Sequence, residues 1–182
     1  MSEFDAPVAG RSLPERSTPA RASLAPRLGA LLYEALLLIA MAFVVGFALL
    51  PLISPAGTAD RTTLTVPPLF ARTMLFCVLA GGAAWYYLWS WSDGRRTLPQ
   101  KTWRLRLVEA QGRDLTRRTA LVRYVAGWIG PSIALAVYAT MQPRGSARFA
   151  ALLLGLNYAW AVFDRDRQFL HDRIAGTRVV RG

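Results

Sequence analysis

RLGALLYEALLLIAMAFVVGFALL, Arg27 to Leu50, decides how this sequence is read. Almost every residue in it is apolar. As a helix rising ~1.5 Å per residue it reaches ~34 Å, enough to cross a hydrocarbon core of ~30 Å. A cleaved signal peptide fits poorly, because the run is too long, begins too late and has no A-x-A-like site after it. One residue breaks the pattern. Glu34 stands two helical turns past Arg27, and a carboxylate at that depth needs a partner or a task.

Working outward, three more apolar segments appear, at about 69–91, 121–141 and 147–163, beside the first at about 28–50. The last is near the short limit of ~17 residues for a span. QPRGS, at 142–146, supplies a tight turn between the last two. With apolar residues at 53% of 182, the expected fold is an all-α membrane protein, a four-transmembrane-helix bundle of one domain over residues 25–182.

Charge gives the orientation. The chain carries a net charge of +11, and 17 of its 22 basic residues fall in three places: the N-terminal tail, the loop between the second and third helices, and the C-terminal tail. The two opposite loops hold only Arg61, Arg144 and Arg148. By the positive-inside rule both termini are expected in the cytoplasm. The basic excess reads first as topology. Its second reading is attraction to anionic lipid, at about 1 kcal/mol per residue near the surface. No nucleic-acid recognition motif accompanies it, so no nucleic acid is expected as a partner. Trp85, Tyr86, Tyr87, Trp89 and Trp91 crowd the cytoplasmic end of the second helix, where amphipathic rings prefer the interface.

Catalytic chemistry finds little foothold. Cys77 is the single cysteine and His171 the single histidine, so neither an internal disulfide nor a His/Cys metal cluster is expected. HDR, 171–173, has no nucleophile and no second histidine beside it. No catalytic residue, metal or cofactor is assigned, and an enzyme is not expected.

Small residues four apart let membrane helices approach closely. The third segment has Ala126, Gly130 and Ala134, and the fourth has Ala147, Ala151, Gly155 and Ala159. They are expected to face one another in a hairpin. Pro131 should kink the third helix and free a carbonyl. For Glu34 the expected partners are Arg123, in the same leaflet, and Asn157, near the midplane, forming a polar cluster; Arg27 is a second candidate. This cluster reads either as a structural pair that docks the first helix or as an ion or proton path.

Outside the spans, residues 1–24 are rich in Ser, Pro, Ala and Arg and are expected to be disordered. WRLRLVEA, 103–110, alternates with period two, and TRVVR, 177–181, is a second strand candidate. A short cytoplasmic strand pair, 103–110 with 177–181, is expected, though an isolated pair is marginal and needs support from the helix ends or the membrane face.

RLGALLYE at the start of the first span, RTLPQKTWRLRLVEAQGRDLTRRTALVRY at 96–124 and DRDRQFLHDRIAGTRVV at 164–180 together resemble the RDD family of bacterial multi-pass membrane proteins, named for an arginine and two aspartates. The resemblance covers about residues 25–180, with its three motifs in order. It places Arg27 at the family arginine, Glu34 where the first aspartate usually stands, and Asp172 at the second. Glu34 keeps the charge and adds one methylene. The loop pattern retains Lys101 but has Gln100 where glycine is usual. The resemblance implies a bacterial inner membrane, and transport has been suggested for the family.

Two functions follow as expectations. The bundle passes a small ion or solute with Glu34, Arg123 and Asn157 along the path, helped by homo-oligomerisation because four short helices make a thin wall. Alternatively it is a non-catalytic scaffold or accessory subunit whose basic cytoplasmic face binds a partner protein or anionic lipid.

Overall fold

The computed structural model describes residues 21–53, 67–141 and 147–182. Residues 1–20 of the tail expected to be disordered, and the QPRGS turn, lie outside the described residues. The tail expectation fails at its inner end. Arg21 bridges Val180 in antiparallel fashion, the Ala22 N–H donates to the Val179 carbonyl at 3.1 Å, and Leu24 already opens a helix. Pairing with a strand from the far end of the chain orders a segment that composition alone marks as loose.

Two long helices come first. α1 runs Leu24–Ile53, longer at both ends than the apolar run suggests, and α2 runs Leu69–Trp91, as expected. α3, Leu98–Thr102, is a single turn started by a capping box: the Thr97 side chain accepts from the Gln100 N–H while the Gln100 side chain accepts from the Thr97 N–H. β1, Leu105–Glu109, follows. The third apolar segment forms α4, Arg117–Gly127, and α5, Ile129–Met141, and the chain ends with α7, Leu170–Ile174, and β2, Thr177–Arg181. Among the described residues three stretches are long and apolar enough to cross a membrane: Leu24–Pro51, Leu69–Trp91 and the joined α4–α5 segment Arg117–Met141.

The fourth apolar segment winds differently from expectation. It is a 3₁₀ helix over Ala147–Gly155, one α-turn, α6, over Leu156–Ala159, and a short 3₁₀ turn over Trp160–Val162. A 3₁₀ helix repeats every ~3 residues rather than ~3.6, so residues four apart drift off one face. The second expected packing stripe fails for this reason. Ala151, Gly155 and Ala159 are exposed, whereas Ala150, Asn157 and Ala161 are buried. The stripe on the partner, wound as α-helix, is intact: Ala126, Gly130 and Ala134 are buried. A Cβ on Gly130 would stand 3.0 Å from the Leu153 carbonyl oxygen and 3.2 Å from that of Leu154, so α5 packs directly on backbone there.

The kink has an identifiable cause. Pro131 has no N–H for the carbonyl four residues back, that of Gly127. The helix breaks at Trp128 and resumes when the Ser132 N–H reaches the Trp128 carbonyl at 2.8 Å. The orphaned Gly127 oxygen is taken by Asn157 Nδ2 at 2.6 Å. Asn157 Nδ2 is therefore occupied with backbone repair.

Below the helices, β1 and β2 pair antiparallel, Leu105 opposite Arg181 and Glu109 opposite Thr177. The first strand is shorter than the 103–110 expected, because Trp103 ends α3 and Arg104 takes a left-handed φ of 50° that turns the chain into the strand. The support a lone pair needs comes from the helix ends. Leu107 packs with Trp91, Leu115 and Ala120, and Leu105 with Ala22 and Ala30. This junction is the most fully buried part of the described chain: Leu105, Val108, Leu115 and Val180 are each at most 2% exposed. The long helices, by contrast, show apolar side chains outward, as lipid-facing helices do.

Candidate functional site

Asp172 is the fixed point. It lies in α7, five residues before β2, and its side chain is 0% exposed. A buried carboxylate must be paired. Arg27, in the first turn of α1, donates from Nη2 to Oδ2 at 3.1 Å, and Arg123, in α4, donates from Nε to Oδ1 at 2.9 Å. Each guanidinium also lies over a ring, Arg27 over Phe169 at 4.2 Å and Arg123 over Trp91 at 4.1 Å, where cation–π attraction holds its plane. Arg27 Nη1 adds a bond to the Arg167 carbonyl at 2.7 Å. The knot thus binds the chain end to α1 and α4 at once.

His171 completes it. Arginine only donates, so the 3.2 Å contact between Arg123 Nη2 and His171 Nε2 makes Nε2 the acceptor and places the proton of a neutral ring on Nδ1. Burial, reinforced by the charges of Arg123 and Arg27 and opposed by Asp172, pushes the His171 pKa down from 6.5 to about 4. Burial works to raise Asp172, but Arg123, His171 and Arg27 outweigh it and hold that carboxyl below its ordinary value.

Both shifts have a pH consequence. The unfolded chain takes up a proton at His171 below about pH 6.5, while the folded chain refuses it until about pH 4. Stability is therefore expected to fall as pH drops from 6.5 to 4. The contribution of Asp172, present above the ordinary carboxylate range, is lost only at lower pH still. Thermal melts of purified protein across pH 4–7 check this. His171→Gln, which keeps an acceptor for Arg123 without titrating, should flatten that slope.

The site predicted from sequence is assembled differently from expectation. Arg27 and Asp172 are together. Arg123 joins them rather than pairing with Glu34, because the fully buried Asp172 competes for it at bonding distance. Glu34 stands a level higher on α1. Its described neighbours include the Thr97 side chain, to which it hydrogen bonds, the charge of Arg123, and Tyr86, Tyr87 and Tyr158. Its Oε1 is buried without a hydrogen-bond partner among the described residues. Glu34 thus ties α1 to the cap of α3. Sequence reading missed Thr97 and Gln100, although T-x-x-Q at 97–100 is the spacing of a capping box.

Above the knot, Arg27, Glu34, Arg123, Tyr158 and His171 line the polar end of a cavity of about 730 Å³ between α1, α2 and α4. Asp172 has both oxygens engaged, Oδ1 by Arg123 and Oδ2 by Arg27. Among the described residues no cluster of three or more His, Cys, Asp or Glu could hold a metal.

Long apolar helices gathered over a buried arginine–aspartate–arginine knot define a helical membrane protein whose C-terminal strand is bound back under its first helix. The chain belongs to the RDD family, whose family profile matches residues 21–176. No match was found among curated proteins or among solved structures.

Proposed function

We propose that this protein moves a small ion or solute through the bilayer, with Glu34 as the group the solute meets. One observation carries the reading. Glu34 sits nearly three turns into an apolar helix, lines the cavity, and has one carboxylate oxygen without a partner among the described residues. Structural carboxylates at such depth are ordinarily fully paired, as Asp172 is; an unspent acceptor, dried out on a residue that lines a cavity, supports a group that receives something.

The setting is a bacterial inner membrane with both termini in the cytoplasm, supported by the distribution of arginines over the strand pair and its loops. The fourth apolar segment makes the last crossing. At ~2.0 Å per residue, 3₁₀ winding lets residues 147–162 reach about 30 Å, where an α-helix of that length would fall short. Homo-oligomerisation would thicken the wall around the path.

The test is flux in proteoliposomes. Wild type should dissipate an imposed proton or cation gradient. Glu34→Gln, which still accepts from Thr97, should lose that flux while its melting temperature stays close to wild type. Tight liposomes with wild-type protein would sink the reading.

A second reading keeps its own support. Lys101, Arg104, Arg106, Arg117 and Arg118 are all exposed on the strand-bearing end. A scaffold or accessory subunit presenting that surface to anionic lipid or an acidic partner protein would leave liposomes tight, and recovery of a stoichiometric partner would favour it.

A further inference from the structure

The cavity above the knot has a shape and a polarity gradient that a small solute does not use. Its wall on α1 runs from Arg27 through Glu34 to Leu38, Met41 and Val45, which at ~1.5 Å per residue is about 27 Å. Phe76 and Leu79 of α2 face the apolar part. A space of about 730 Å³ drawn out over that length is narrow, and suits an extended hydrocarbon chain better than a compact solute. Gly82 also lines it, and a Cβ there would meet nothing within 4 Å, so the groove has room beside α2.

The head end is as informative. Glu34 lines the cavity with Tyr86, Tyr87 and Tyr158, and its buried Oε1 has no partner among the described residues. A carboxylate among aromatic rings is the combination that recognises an organic ammonium, the anion by charge and the rings by their negative faces. Arg27 and Arg123 are near and each is salt-bridged to Asp172, with Arg27 Nε alone of their donors buried and unpartnered among the described residues.

We infer that the groove binds an alkylammonium amphiphile, a cation carrying its ammonium directly on a long hydrocarbon chain, with the head at Glu34 and the tail along Leu38, Met41 and Val45. The order of groups along α1 selects this over a zwitterionic phospholipid. In such a lipid the phosphate lies between tail and ammonium, so a tail in the apolar part would bring phosphate to Glu34 and ammonium to Arg27, each against like charge. Binding of this kind goes beyond the transport reading and does not require it.

The test measures equilibrium binding of radiolabelled hexadecyltrimethylammonium to full-length protein in dodecyl maltoside, with unlabelled competitors. Saturable one-to-one binding is expected. Hexadecylamine should displace it at least tenfold more effectively than hexadecyl sulfate or phosphatidylethanolamine, and tetramethylammonium, which lacks the tail, should compete poorly. Glu34→Gln should weaken binding at least tenfold, as should Gly82→Leu, which fills the tail space and leaves Glu34 untouched. Equal displacement by the sulfate, stronger displacement by phosphatidylethanolamine, or full binding by Gly82→Leu would each overturn the assignment. None of these readouts depends on flux, so a tight liposome with a filled groove separates this inference from transport.

Discussion

Asp172→Asn should cost this protein about 3–5 kcal/mol, because it keeps the shape of the side chain and removes the carboxylate that is salt-bridged to two buried guanidinium groups. Arg27 and Arg123 side chains are 5% and 9% exposed, so water cannot take over for the missing carboxylate. Breaking one partner of a buried ionic cluster is worse than never having built it, since the remaining charges stay desolvated. For a chain of this length that corresponds to a fall in melting temperature of roughly 10 °C. Arg123→Lys should show a smaller loss, keeping charge but losing the planar stack on Trp91 and the donor pair to Asp172 and His171. A melt of Asp172→Asn within about 2 °C of wild type would mean the knot carries no stability.

The second large effect is a conditional one. Asn157→Leu should cost about 1–3 kcal/mol, since it strips from the Gly127 carbonyl, left free by Pro131, the side-chain donor it has among the described residues. The loss should vanish when Pro131 is replaced by alanine, because the restored N–H can bond that same carbonyl in the helix. The two residues should therefore show a coupling of about 1 kcal/mol or more in a double-mutant cycle read by thermal melts. Additive losses would show that Asn157 packs at the kink without repairing it.

Much of this molecule is legible from composition and period alone. α2 and β2 lie where the apolar run and the alternation put them, since a run of that length and a TRVVR flanked by turn residues leave few alternatives. The Pro131 break was also readable, because the missing N–H is a property of the residue. The partner of the freed carbonyl was not. Asn157 is 30 residues away, and only the packing of the last segment on α5 brings it there. The second small-residue stripe misled for a similar reason. Spacing four marks one face only if the segment is α-helical, and the 3₁₀ winding of Ala147–Gly155 carries Ala151 and Gly155 outward.

The sequence by itself determined the solvent and the inventory: which stretches belong in lipid, where the arginines gather, and that Arg27, Glu34, Arg123 and Asp172 are charges needing partners. Tertiary structure decided the pairing. Either arginine could have served Glu34 by helical level, but pairing of β1 with β2 draws Asp172 beneath the bundle to complete burial, and a carboxylate cut off from water takes the nearest guanidinium groups first. Glu34 is left with Thr97 and one buried oxygen that has no partner among the described residues. Charges announce themselves in a sequence; who neutralises whom depends on which group the fold dries out most.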